Sequence, residues 1–81
     1  MHCTVYRSEH KPDTYLYLAA AENFQVVPGP LLATLGALVA VMELTLHPNR
    51  RLAREDPKAV LRQLLRQGWY LQLPPQHHLD A

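Results

Sequence analysis

One cysteine, Cys3, stands among 81 residues, so an intrachain disulfide is excluded. Secreted domains of this size ordinarily need such bridges, and a reducing cytoplasm is the expected setting. Glycine is scarce too, at three. Two of them, Gly36 and Gly68, sit where apolar segments stop, which leaves no glycine-rich loop to cradle a phosphate. Charge of one sign is not in excess: eight Lys and Arg face seven Asp and Glu, and the net +1 implies no partner by itself. Long apolar runs are missing as well. The longest, residues 31–46, is interrupted by Thr34, Gly36, Glu43 and Thr45 and falls short of the about 20 residues of a membrane span. The first residues run straight into polar and β-prone positions, so no secretory leader and no membrane association are expected.

What is present is the composition of a folded protein, 48% apolar and 19% charged. The length fits one domain, expected over residues 1–75, with residues 76–81 a frayed tail. Its core is small and leaves little room for a deep, enclosed active site.

Local patterns predict the elements. CTVYR (residues 3–7) is rich in β-formers, and Pro12-Asp13 suits a turn. Tyr15 and Tyr17 then alternate with Leu16 and Leu18, which completes a β-hairpin. Residues 19–22 fit a strand extension and a helical turn equally. Phe24, alone among polar neighbours, is expected to plug the core from a loop. Pro30 opens a short helix through Leu35, stopped at Gly36. ALVAVMELTL (residues 37–46) reads as a central strand buried on both faces and emerging near its end. His47-Pro48-Asn49 makes a turn, and residues 50–54 fit a short edge strand anchored by Leu52.

The second helix carries the fullest set of signals. Asp56 is a suitable N-cap, Pro57 suits the first helical position, and Arg66 favours the negative end of the helix dipole. Val60, Leu61, Leu64 and Leu65 are expected to form its buried face. Gly68 ends it, and Trp69 to Leu73 alternate as a last strand until Pro74-Pro75, where neither proline can donate to a ladder. The order is β-β-α-β-(β)-α-β: an α+β single-domain α/β/α sandwich on a largely antiparallel or mixed sheet.

Set in that order, CTVYRS, TYLY, Phe24, Val27-Pro28, Gly36, Leu52 and above all GWYLQLPP (residues 68–75) resemble the YcgL domain. This is a small bacterial family without an established reaction, and the likeness runs through almost the whole chain. The resemblance implies a compact cytoplasmic α/β/α sandwich and carries over no catalytic residue or cofactor. Some members of the family neighbour ribonuclease D genes, which hints at RNA. The chain departs from the pattern at Pro28-Gly29-Pro30, where relatives tend to place an acidic pair after the first proline.

Candidate chemistry is thin. Arg50, Arg51, Arg54, Lys58, Arg62 and Arg66 fall within 17 residues that hold only Glu55 and Asp56 as acids. Lys58, Arg62 and Arg66 are four apart and form one helical stripe. Such a stripe can track phosphates, most plausibly of RNA, or can be the solvated face that every amphipathic helix needs; the second reading is the more economical. Trp69 and Tyr70 would add stacking if exposed, but such rings more often pack under helices. Five histidines lack metal-ligand spacing, since His77-His78 are adjacent and His2, His10 and His47 lie far apart. Cys3 opens an alternating strand and reads as a small buried hydrophobe rather than a nucleophile. Glu9, Asp13 and Glu22 form no acid–base pair. Pro74-Pro75 reads as a strand terminator, not as a proline-rich ligand. No catalytic, metal or cofactor site is assigned. The expectation is a non-enzymatic accessory module that binds an unknown protein partner, with RNA binding through the basic stripe as the alternative.

Overall fold

The hairpin predicted from alternation is the centre of the sheet. A computed structural model describes residues 1–49, 52 and 55–75. Strand β1 (His2–Ser8) pairs antiparallel with β2 (Tyr15–Leu18), with Val5 opposite Tyr17 and Tyr6 opposite Leu16. Between β2 and the first helix, Phe24–Val26 make one 3-10 turn. Helix α1 (Gly29–Leu35) follows, then β3 (Leu38–Thr45), α2 (Pro57–Gln67) and β4 (Trp69–Gln72). The strands lie in the order β3-β1-β2-β4, every neighbour antiparallel. The expected α+β architecture is the one observed.

Strand alternation splits the core between the two sheet faces. Cys3, Val5 and Tyr17 point to one face, where Val60 and Leu64 of α2 and Leu46 cover them. Tyr6, Leu16 and Leu18 point to the other, under Leu35 of α1 and Val27. Phe24 packs on this second cluster and meets the Tyr6 ring edge-on at 5.0 Å. It does plug the core, but from a helical turn.

The helix boundaries follow from their capping chemistry. The Asp56 carboxylate accepts from the Lys58 N–H at 3.0 Å, satisfying one of the first-turn donors, and Pro57 starts the helix. Gly68 closes α2 in the left-handed conformation, its N–H bonded to the Leu64 carbonyl. Helix α1 has no side-chain cap. Its two-proline entry reduces the orphan donors instead, and Gly36 ends it at φ 69°. Residues 19–22, open in the sequence, are a turn in which Glu22 takes a positive φ.

Three expectations need correction. Strand β3 is not central but an edge strand, and Val39, Val41 and Met42 are exposed. Helix α2 packs beside β4, at the opposite edge of the sheet, and from β3 Leu44 reaches the α2-side cluster and Leu38 the α1-side cluster. A β-bulge adds Val41 to the strand, because Val5 pairs with Met42 while the next residue, Tyr6, pairs with Ala40. Leu65 lies on the solvent side of α2, 73% exposed, rather than in its buried face. Leu73 is exposed just past the end of β4 instead of filling a face with Leu71. The proposed edge strand at residues 50–54 and the tail at 76–81 lie outside the described residues, apart from Leu52, which packs on the α2-side core.

Candidate functional site

Helix α2 carries the cations that drew attention in the sequence. At about 100° per residue, Val60 and Leu64 fall about 40° apart and define the buried stripe, which both residues occupy at 2% exposure or less. Lys58, Arg62 and Arg66 project from the opposite side, and all three are exposed. Leu65 lies seven residues from Lys58 and three from Arg62, about 20° and 60° around the helix, so it borders the same solvent-facing stripe. The ion pairs among the described residues are His2 with Glu43 and Arg7 with Glu9, none of them on this helix. The result is a largely exposed apolar side chain beside a row of cations. Arg50, Arg51 and Arg54, the other members of the candidate patch, lie outside the described residues.

Trp69 and Tyr70 do not form one platform. They are neighbours on β4, so their rings go to opposite faces of the sheet. Trp69 packs on the α1-side cluster and Tyr70 on the α2-side cluster, each half-buried. The Tyr70 hydroxyl donates to the Glu55 carboxylate, and its ring meets that of Tyr17 edge-on at 5.8 Å. Tyr17 Oη in turn donates to Gln72 Oε1 at 2.7 Å. Burial, then the hydrogen bond to Glu55 and its negative charge, pushes the Tyr70 hydroxyl up from 10 to about 12. This phenol stays neutral at any physiological pH, which suits an anchor and disqualifies a general base.

The remaining candidates are dispersed. Cys3 is fully buried in the apolar core, away from any solvent-borne substrate. His2 Nε2 lies 3.1 Å from Glu43 Oε1 at the exposed end of β1. His10 sits over Gly36, so close that a Cβ there would fall 2.4 Å from its ring. Among the described residues, no three of His, Cys, Asp and Glu converge in a metal-holding geometry. Nor is any helix among them long and apolar enough to cross a membrane.

A second surface feature escaped the sequence reading. A groove of about 410 Å³ opens on the α1 side, between Leu31 and Leu35 of the helix, Leu71 of β4, and Leu73 and Pro74 just beyond that strand. The hairpin turn closes one end with Lys11, Pro12 and Thr14. Nothing in local spacing announces it, because its walls come from three separated segments. Leu65, by contrast, was legible: it lies about 140° around the helix from Val60.

The sequence profile of the YcgL domain matches residues 3–75. A YcgL domain-containing protein of Thioalkalivibrio sulfidiphilus is 47% identical over 77 residues, covering 95% of each chain. One from Stenotrophomonas maltophilia is 47% identical over 75 residues, covering 93% of this chain and 87% of its own. One from Pseudomonas putida is 45% identical over 73 residues, covering 90% and 75%. The match begins at Cys3 and ends at Pro75, taking in both helices and the whole sheet apart from the first residue of β1. The chain belongs to the YcgL domain family.

Proposed function

We propose that this YcgL domain is a non-enzymatic accessory module of the bacterial cytoplasm, and that it binds a protein partner through the solvent face of α2. The observation that carries this reading is Leu65, 73% exposed at the border of the stripe of Lys58, Arg62 and Arg66. A lone leucine on a surface is unremarkable, but here a helix gives its best-presented apolar side chain to water along the edge of its cationic face. The complement of that pattern is an acidic segment with an apolar residue to cover Leu65. Apolar anchors ringed by charge are how protein interfaces combine affinity with selectivity.

RNA would use the cations and leave Leu65 without a role. Trp69 and Tyr70 offer no shared stacking surface, since they occupy opposite faces and Tyr70 is held by Glu55. The protein reading therefore accounts for one more residue than the RNA reading does.

The test is an identified partner, captured from nuclease-treated lysate and then reconstituted with purified domain. Leu65→Ser should weaken the purified complex about tenfold, in line with loss of a central apolar contact, while Leu65→Met retains it. Arg62→Glu with Arg66→Glu should slow association and remove its salt dependence. Binding that disappears with nuclease, or that ignores both sets of substitutions, would overturn the proposal.

A further inference from the structure

We propose that the groove on the α1 side binds a small amphiphilic carboxylate, with Lys11 receiving the head group and the leucine walls receiving the hydrocarbon. The groove lies across the sheet from the solvent face of α2, so this inference is independent of the protein-binding reading. Its floor is Leu35, 2% exposed, and its walls are Leu31, Leu71 and the 61%-exposed Leu73. At about 410 Å³ it falls within the usual range of small-molecule sites, roughly 300–1,000 Å³.

The polar lining decides what class of molecule fits. Thr14 Oγ1 donates to the Pro12 carbonyl at 3.1 Å and Thr34 Oγ1 to the Pro30 carbonyl at 3.0 Å. Both hydroxyl protons are thus held within their own turns. Among the described residues, the Lys11 ammonium has no acidic partner, and no carboxylate lines the groove. One cation above apolar walls matches one anionic group on an otherwise apolar molecule. It matches a peptide poorly, because each residue of an extended peptide brings a further N–H and C=O that need partners.

The frame is also built before any ligand arrives. Ser8 Oγ donates to the Leu35 carbonyl at 2.6 Å and accepts from the Lys11 N–H at 2.9 Å. A single buried hydroxyl therefore ties the backbone of the cationic residue to the end of the helix that supplies the floor. The Glu9 N–H adds a bond to the Ala37 carbonyl at 2.9 Å, just beyond the same helix end. A preorganised site loses less on binding than one that must be ordered by its ligand.

Octanoate is the probe, followed through the leucine methyl signals of the full chain by NMR. The expected result is saturable shifts at Leu31, Leu35, Leu71 and Leu73, with 1-octanol and octylamine binding at least fivefold more weakly. Lys11→Gln should weaken octanoate on the order of tenfold, the loss of one charge-assisted hydrogen bond, and leave octanol unchanged. Leu73→Ser should weaken both. Equal binding of octanoate and octanol, shifts confined to other leucines, or indifference to Lys11→Gln would overturn the proposal. So would a full-chain Leu79→Ser variant that moves the groove methyls without ligand, since the chain's own tail would then be the occupant.

Discussion

On the α1 side of the sheet the buried hydroxyls reach backbone atoms. Tyr6 Oη accepts from the Glu22 N–H at 2.9 Å, and Ser8 Oγ donates to the Leu35 carbonyl at 2.6 Å. On the α2 side the hydroxyls reach other side chains: Tyr17 donates to Gln72, and Tyr70 to Glu55. The difference matters for what each face can do. Bonds to backbone fix the path of the chain: the Tyr6 bond holds the turn where Glu22 takes a positive φ, and the Ser8 bond holds the helix end beside Gly36. Bonds between side chains can be exchanged or titrated without moving the chain. The α1 side should therefore be sensitive to geometry and the α2 side to chemistry.

The largest expected effect tests geometry. Gly36 stands at φ 69°, ψ −148°, a region that only glycine occupies readily, and a Cβ there would meet the His10 ring at 2.4 Å. Gly36→Ala should cost about 3 kcal/mol or more, measured by urea denaturation. Adding His10→Ala should return the part due to the ring clash and leave the backbone strain. Full recovery in the double variant would show that φ is not the constraint, and the contrast between faces would weaken.

The second effect tests exchangeable chemistry on the other face. Gln72→Leu removes the acceptor that buried Tyr17 uses, and should cost about 1–2 kcal/mol. With Tyr17→Phe already present, the same change should cost much less, and the cycle gives the coupling directly. Additive costs would mean that the two side chains contribute only by packing. At Ser8 the mirror experiment has no such rescue, because the carbonyl of Leu35 cannot be substituted away.

How much of this was readable in advance follows the same division between local and distant causes. The boundaries of α2 were legible because Asp56, Pro57 and Gly68 act within one turn of themselves. The β2 alternation was legible for the same reason. The place of β3 was not. Its apolar run suits a strand covered on both sides, yet which strand lies at the edge depends on how β1, β2 and β4 pair, and no residue within β3 encodes that. Leu65 is a different case, since helical geometry alone separates it from Val60 and Leu64. The groove was beyond reach because Lys11, Leu31 and Leu73 meet only after folding.

A third, smaller effect concerns how the helices begin. Asp56→Ala removes the acceptor for the Lys58 N–H and should cost about 1 kcal/mol, read from the thermal midpoint. Asp56→Asn should restore most of it, because asparagine caps nearly as well. Helix α1 has no side-chain cap to lose, so no residue before it should show an equivalent loss on truncation to alanine.

The smallest effect is the most specific to the α2 face, and it requires high pH. Tyr70 has its ionisation raised from 10 to about 12, first by burial and then by Glu55. A raised folded-state value means that the folded protein holds the proton more tightly than the unfolded chain does. The associated stability is therefore whole below pH 10 and is lost as pH climbs from 10 toward about 12. Solvent reaches part of the ring, so screening keeps this contribution modest. The expected observation is that wild-type urea midpoints fall more steeply above pH 10 than those of Tyr70→Phe. The tyrosinate absorbance should include a late step for Tyr70, near 12, and Tyr70→Phe should remove it. Tyr6, whose hydroxyl accepts a backbone N–H, supplies the control from the other face. If Tyr6→Phe removes the late step instead, the chemistry assigned to the α2 side belongs to the α1 side.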